Sequence, residues 1–290
     1  MDWLLEPFEN NFYRRALLAA VMIGFTNGYV SGLVVLRKSA LKVGSLSHTL
    51  LPGIALAILI VGLSPLSAFL GALFAALFVG MLSVTIARNC RVDQESALAI
   101  LYTAAFGGGI ILLNYMSVNQ LLESWLFGNI AGLADSDLWI VFSISLVTLG
   151  TLALLQRPIL VMLFEPNVAQ SVGIPVRGLN YVLFGLMTVV LIASLQAVGV
   201  ILALGLLVAP GATIYLFTDS TSRLLWGGAV LGAVGSAAAL VAAYWFNLPP
   251  GPAIVVLLGV LFLVSFLLSP KYGVWQRVRK HRHAHHARGA

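Results

Sequence analysis

The chain has one histidine ahead of its last ten residues, and that residue, His48, stands where a basic stretch gives way to an apolar run. It lies in VGSLSHTLLPG (43–53), with Gly44 four residues before it, Ser45 three before it, and Pro52 and Gly53 one turn beyond. An imidazole can serve as a general base or ligate a transition metal. Base catalysis needs a nucleophile brought up to the ring, and Ser47, its neighbour in sequence, points elsewhere on a helix. No H-E-x-x-H occurs, which excludes the usual zinc-peptidase helix. No G-x-x-x-x-G-K-[ST] occurs either, so this chain does not cradle ATP in the usual way, and uphill transport would draw its energy from another polypeptide. The remaining histidines, His281, His283, His285 and His286, crowd into RVRKHRHAHHARGA (277–290), a composition that binds transition metals almost by default. Cys90 is the sole cysteine, so no disulfide forms within the chain.

Few elements other than membrane helices can position such residues here. Of 290 residues, 60% are hydrophobic and 9% charged, with a mean hydropathy of +1.00. Soluble domains carry about 25% charged residues, so this chain has too few to face water on all sides. Nine apolar stretches, at about 14–36, 47–63, 65–87, 95–114, 138–157, 178–195, 200–217, 224–246 and 251–268, approach the ~20 residues that cross a bilayer as helix. Backbone polar groups have no other partner in lipid, so the fold class is all-α and polytopic, with eight to nine transmembrane helices. The second stretch is short and only QAVG separates the sixth from the seventh, which keeps eight spans plus a broken or re-entrant segment open. The first run follows Arg14 and Arg15 but leads into further spans, and reads as a retained helix rather than a leader.

Charge sets the orientation. With the N-terminus outside, every one of the 16 Lys and Arg except Arg14 and Arg15 falls on the cytoplasmic side. The outer segments then carry Asp2, Glu6, Glu9, Glu123, Asp135 and Asp137, and the surface around Glu123, Trp125, Asp135, Asp137 and NLPPGP (247–252) is the one open to an extracytoplasmic partner. The net charge of +6 is a cytoplasmic face opposite anionic lipid and needs no nucleic-acid partner. Residues 1–270 form the transmembrane domain and 271–290 a basic, His-rich cytoplasmic tail. Gly228, Gly232 and Ser236 recur every four residues, a face on which another helix backbone can approach closely. FGGGI (106–110) permits a bend or a tight crossing.

The segment QRPILVMLFEPNVAQSVGIP (156–175) has its own signature. Glu165-Pro166 suits a helix start, Gly173 closes about two turns, and Pro175 blocks extension. Val168 and Val172 share a face, fit either for a groove in a soluble partner or for the lipid surface.

Four segments in order make the chain resemble the membrane permease family of zinc/manganese/iron ABC importers. They are the opening span with GSLSHTLLPG, similar to that family's G-D-x-L-S-H-x-x-L-P-G; LFGN (126–129); FEPNVAQSVGIP (164–175), similar to F-D-P-x-x-A-x-x-x-G; and QAVGVILALGLLVAPGATIYLF (196–217). The resemblance implies a type II ABC importer-like permease, itself not an enzyme and holding no resident cofactor. It implies transport of Mn²⁺, Zn²⁺ or Fe²⁺ across the inner membrane, ATP on a cytoplasmic ATPase dimer, an extracytoplasmic metal-binding protein, and a second permease copy or paralogue. It makes Phe164, Glu165, Pro166, Ala169 and Gly173 part of an ATPase coupling helix. It makes His48 a metal ligand, but the family's aspartate is replaced by Gly44. Three readings follow: a paralogous permease supplies the acid; His48, the Ser45 hydroxyl, backbone carbonyls and water form a weak site; or His48 touches no ion. Pro52 and Gly53 are expected to bend the span and expose carbonyls to the path, or to serve as a packing kink. The alternatives are a permease for a siderophore- or cobalamin-like chelate and, from another class, an ion-coupled secondary transporter.

Overall fold

Apolar runs of this length have one way to satisfy their backbone in hydrocarbon, and the protein takes it throughout. The structure is a computed structural model and describes residues 11–62, 64–115, 128 and 130–269. Among the described residues ten α-helices follow in order: α1 (Asn11–Leu36), α2 (Ala40–Val61), α3 (Pro65–Asn89), α4 (Gln94–Tyr115), α5 (Asp135–Phe164), α6 (Pro166–Ser171), α7 (Val176–Val198), α8 (Val200–Tyr215), α9 (Thr221–Phe246) and α10 (Pro250–Leu268). A short 3₁₀ turn (Ile130–Gly132) precedes α5, and there is no strand among the described residues. Eight helices are long and apolar enough to cross a membrane. The apolar helix α8 has 16 residues, which at ~1.5 Å per residue falls short of a ~30 Å core. Only Gly199, with φ +89°, separates α7 from α8. A side chain would be strained at that φ, so glycine makes the break possible.

Several helix ends differ from their hydropathic limits for a local reason. Helix α2 begins at Ala40, seven residues ahead of the apolar stretch, because Lys42, Gly44, Ser45 and Ser47 dilute hydropathy without preventing helix. Helix α5 runs through Arg157 and Pro158 to Phe164. Helix α1 stops at a turn in which Lys38 takes φ +52°, its N–H donating to Val35 (3.0 Å) while the Ser39 N–H donates to Val34 (3.1 Å). This left-handed cap is usually built on glycine, and here it lets α2 start two residues later.

Helix α1 is the most deeply buried span and packs against α9, α8, α5 and α7. Its glycines explain how. A methyl added at Gly24 would strike the Gly232 carbonyl, and one at Gly28 the Gly228 carbonyl. The small-residue face of α9 is therefore matched by a second one, Gly24–Gly28–Gly32 on α1, and the two backbones touch. Farther along α1, Gly211 of α8 lies so close to Ser31 and Gly32 that a Cβ there would be 2.6 Å from the Ser31 carbonyl carbon. Asn27 clasps α1 to α7: its amide donates to Ser194 Oγ (2.6 Å) and to the Ile23 carbonyl (2.8 Å).

The helices α2, α3 and α4 form a second group beside it. Gly53 and Gly71 pack α2 on α3 backbone to backbone, and a Cβ at Gly53 would sit 2.6 Å from Ala75 Cβ. Gly109, from the FGGGI run, packs on Pro52: a Cβ there would be 2.8 Å from the Pro52 nitrogen. Gly107 and Gly108 have nothing near them among the described residues. The tight crossing that FGGGI allows is thus made by one of its three glycines.

Candidate metal path and coupling helix

His48 sits midway along α2, half-buried, with its ring held by two aromatic residues of α4. Tyr102 stacks on the imidazole at a centroid distance of 5.5 Å and an interplanar angle of 25°. Phe106, one turn on, meets it edge to face at 5.4 Å and 77°. Two rings fix the orientation of a side chain that would otherwise rotate, and they leave its nitrogens at the ring edge for hydrogen bonding or a metal.

The backbone adds an acceptor at the same residue. Helix α2 runs unbroken through Pro52. A proline in a helix offers no N–H to the carbonyl four residues back, and for Pro52 that carbonyl belongs to His48. The imidazole and an undonated carbonyl of one residue thus lie on one turn. Ser45 is three residues before His48 and half-buried with it, on the same side of α2. Ser47 is fully buried and donates to the Gly44 carbonyl at 2.7 Å, which turns it away from the His48 face. Gly53 is packed against Gly71.

Gly44, one turn before His48, looks toward α8. A Cβ there would stand 3.7 Å from Leu204 Cδ2, an ordinary contact, so the site has room for a side chain it lacks. No group of three or more His, Cys, Asp or Glu gathers among the described residues. One imidazole, one hydroxyl and a carbonyl are a partial shell for ions that take four to six ligands.

At one end of the bundle, α6 forms a short rung between α5 and α7. Pro166 occupies its first turn, and Glu165 precedes it in a non-helical conformation with φ −137° and ψ 73°. Gly173 takes φ +84°, its N–H donating to Gln170 (3.1 Å) while the Ile174 N–H donates to Ala169 (2.9 Å). The rung is anchored by Ala169, which is fully buried, whereas Phe164, Val168 and Val172 are exposed, Val172 by 72%. Four-residue spacing puts Val168 and Val172 on one outward face, and Phe164 is exposed at the end of α5.

The remaining sequence candidates divide. Asp135 is bound by Arg15: Nε to Oδ1 and Nη2 to Oδ2 are both 2.8 Å, a two-pronged pair joining the starts of α1 and α5. Asp137 Oδ2 accepts from the Ala134 N–H at 3.0 Å and caps its own helix. Glu123, Trp125, His281, His283, His285 and His286 lie outside the described residues. Sequence reasoning missed Tyr102 and Phe106; their four-residue spacing was visible in LYTAAF, but nothing in it names His48 as their partner.

Comparison with known proteins agrees with this arrangement. Residues 9–269 match the model of the ABC 3 transport family. The manganese transport system membrane protein MntC of Halalkalibacterium halodurans is 35% identical over 269 residues, which cover 92% of this chain and 90% of that one. The chelated iron transport system membrane protein YfeC of Yersinia pestis is 32% identical, over 94% of this chain and 92% of the relative. A solved structure of PsaBC from Streptococcus pneumoniae in complex with Fab superposes with a TM-score of 0.85 at 30% identity, over 93% of this chain and 97% of that one. The chain belongs to the ABC 3 transport family, and it is a membrane-spanning permease of the metal-transporting ABC class.

Proposed function

We propose that this permease carries manganese or iron(II) inward past His48, driven by a separate ATPase docked on α6. The observation that carries the reading is the outward apolar face of α6, with Val168 and Val172 exposed around a buried Ala169. A six-residue helix with exposed valines is stable where a partner covers them, and a groove on an ATPase would do so. The relatives named for manganese and iron transport support the choice of cargo. A capture protein delivers the ion at the opposite end, near the starts of α5 and α10. The N-terminus is then outside and the C-terminus is in the cytoplasm.

His48 is the ion contact in this reading. Its imidazole suits Mn²⁺ and Fe²⁺ without binding them too tightly, and Ser45, the His48 carbonyl and water add neutral oxygens. A conducting site must release its cargo, so a sparse neutral shell is suited to it. A second permease across the membrane, a copy or a paralogue carrying a carboxylate at the Gly44 position, completes the coordination.

The test is uptake of radioactive manganese into proteoliposomes holding the permease, its ATPase and its capture protein. His48→Ala is expected to lower uptake at least tenfold while ATPase binding persists. Val168→Glu with Val172→Glu is expected to abolish ATPase binding and uptake together. Wild-type uptake by His48→Ala removes the residue from the path, and wild-type coupling by the glutamate variant removes α6 from the ATPase interface.

A further inference from the structure

Where α1 hands over to α2, the connection between them and the helices α2, α3, α4 and α7 line a partly open cavity. Its rim carries Arg37, Ser39, Lys42 and Gln94, and its floor carries Phe184 and Met187 of α7.

The rim is cationic and poorly compensated. Arg37 makes no ion pair among the described residues, and burial pulls its guanidinium below the ordinary value. Lys42 has one acid near it, Glu95 at 3.5 Å. Ser39 is 5% exposed, and its buried Oγ has no hydrogen-bond partner among the described residues. A buried guanidinium and a buried idle hydroxyl are both costly unless something completes them. Both are donors, and so is the Gln94 amide. The backbone fixes their positions: the left-handed Lys38 and the bond from the Ser39 N–H to Val34 pin Arg37 and Ser39 on a three-residue connection. This is not a stretch of cation path, because the uncompensated charge of Arg37 at its mouth repels Mn²⁺.

We propose that this cavity is an anion site for a phosphate group, held by Arg37, Lys42 and the hydroxyl of Ser39. Two sources share that chemistry, the headgroup of an anionic phospholipid and free inorganic phosphate. A basic pocket between helix ends at the membrane boundary suits the first, and Arg supplies the planar fork that phosphate accepts. Bound there, the anion ties α1–α2 to α4 and α7.

The full-length permease purified with its ATPase tests this in two arms. In the first, native mass spectrometry compares retention of phosphatidylglycerol with that of phosphatidylcholine. In the second, thermal unfolding is followed with inorganic phosphate against chloride at equal ionic strength. Preferential retention of phosphatidylglycerol assigns the site to lipid, and a phosphate-specific rise in Tm assigns it to free phosphate. Either effect is expected to fall at least tenfold in apparent affinity in Arg37→Gln and several-fold in Ser39→Ala, with Arg37→Lys retaining part. Lys42→Gln, at a half-exposed position that should not disturb folding, gives the same reading if Arg37→Gln does not fold. Equal retention of the two lipids together with equal Tm in the two salts overturns the proposal. So does binding that is unchanged in Arg37→Gln or, where that variant fails to fold, in Lys42→Gln.

Discussion

Gly44 is the residue at which this chain departs from the pattern it otherwise follows, and the departure is chemical rather than steric. The nearest atom to a Cβ at that position is Leu204 Cδ2 at 3.7 Å, so the first carbon of an aspartate side chain makes only an ordinary contact. Gly44→Asp would also trade glycine for a residue with a better helix propensity by a few tenths of a kcal/mol. With the carboxylate one turn from the His48 imidazole, Mn²⁺ gains a charged oxygen ligand of the kind it favours. The purified variant is expected to bind Mn²⁺ at least tenfold more tightly than the wild type by calorimetry, a change of about 1.4 kcal/mol. Turnover in proteoliposomes should fall as release slows. Unchanged affinity would mean that position 44 and His48 do not share an ion. His48 stood out in the sequence as the one histidine ahead of the tail, whereas Ser45 and Pro52 were singled out only through the family resemblance. The aromatic bracket was not legible, because Tyr102 is 54 residues away and only the packing of α2 on α4 brings the rings together.

At the scale of elements, glycine placement decides which helices touch, and it does so selectively. Gly28 and Gly232 lie where α1 and α9 meet backbone to backbone, while Gly108 faces open space on α4. Overpacking typically costs about 1–3 kcal/mol, and a backbone carbonyl cannot swing aside as a side chain can. Gly28→Ala and Gly232→Ala are therefore each expected to lower stability in detergent by at least ~2 kcal/mol, read as a fall in Tm and in the folded peak on size exclusion. Gly108→Ala is expected to be neutral or slightly stabilising, since it removes a helix-interior glycine worth up to ~1 kcal/mol. Equal Tm for the three variants would show that the α1–α9 crossing is looser than its geometry. The α9 stripe was readable from its four-residue period, but its partner was not: Gly24, Gly28 and Gly32 have the same period, and a sequence does not say which two stripes meet. The short rung α6 was readable to within two residues because its punctuation is local, Pro166 at the start and Gly173 at the end. Helix α5 outran its hydropathic limit because Arg157 and Pro158 signal a boundary that the backbone does not observe.

For the whole molecule, the proposed orientation depends on where the charges end up, and the fold gives it internal consistency. Arg15, one of two bases on the wrong side of the charge count, is bound in two-pronged fashion by Asp135 at the opposite end of α5 from α6. The ion pair gives Arg15 a structural role at that end, and leaves Arg14 as the other base against the count. Each long helix then crosses in alternation, with the α1–α2 and α3–α4 turns, α6 and the α8–α9 turn on the cytoplasmic side. Cys90, exposed in the α3–α4 turn and the only cysteine in the chain, is a built-in reporter of this arrangement. A membrane-impermeant maleimide applied to intact cells or spheroplasts is expected to leave Cys90 unlabelled, and labelling should appear on permeabilisation. Ala134 and Asn247 lie at the other end of the bundle, where α5 and α10 begin. In a Cys90→Ser background, Ala134→Cys and Asn247→Cys are expected to label in intact spheroplasts. The reverse pattern at all three positions would invert the molecule, place α6 beyond the reach of a cytoplasmic ATPase and defeat the proposed direction of transport. Because the three reporters occupy separate turns, a mixed pattern at Asn247 alone would instead show that α8, the short helix after Gly199, does not complete its crossing. A single labelling series thus separates an inverted permease from a permease with a re-entrant eighth helix.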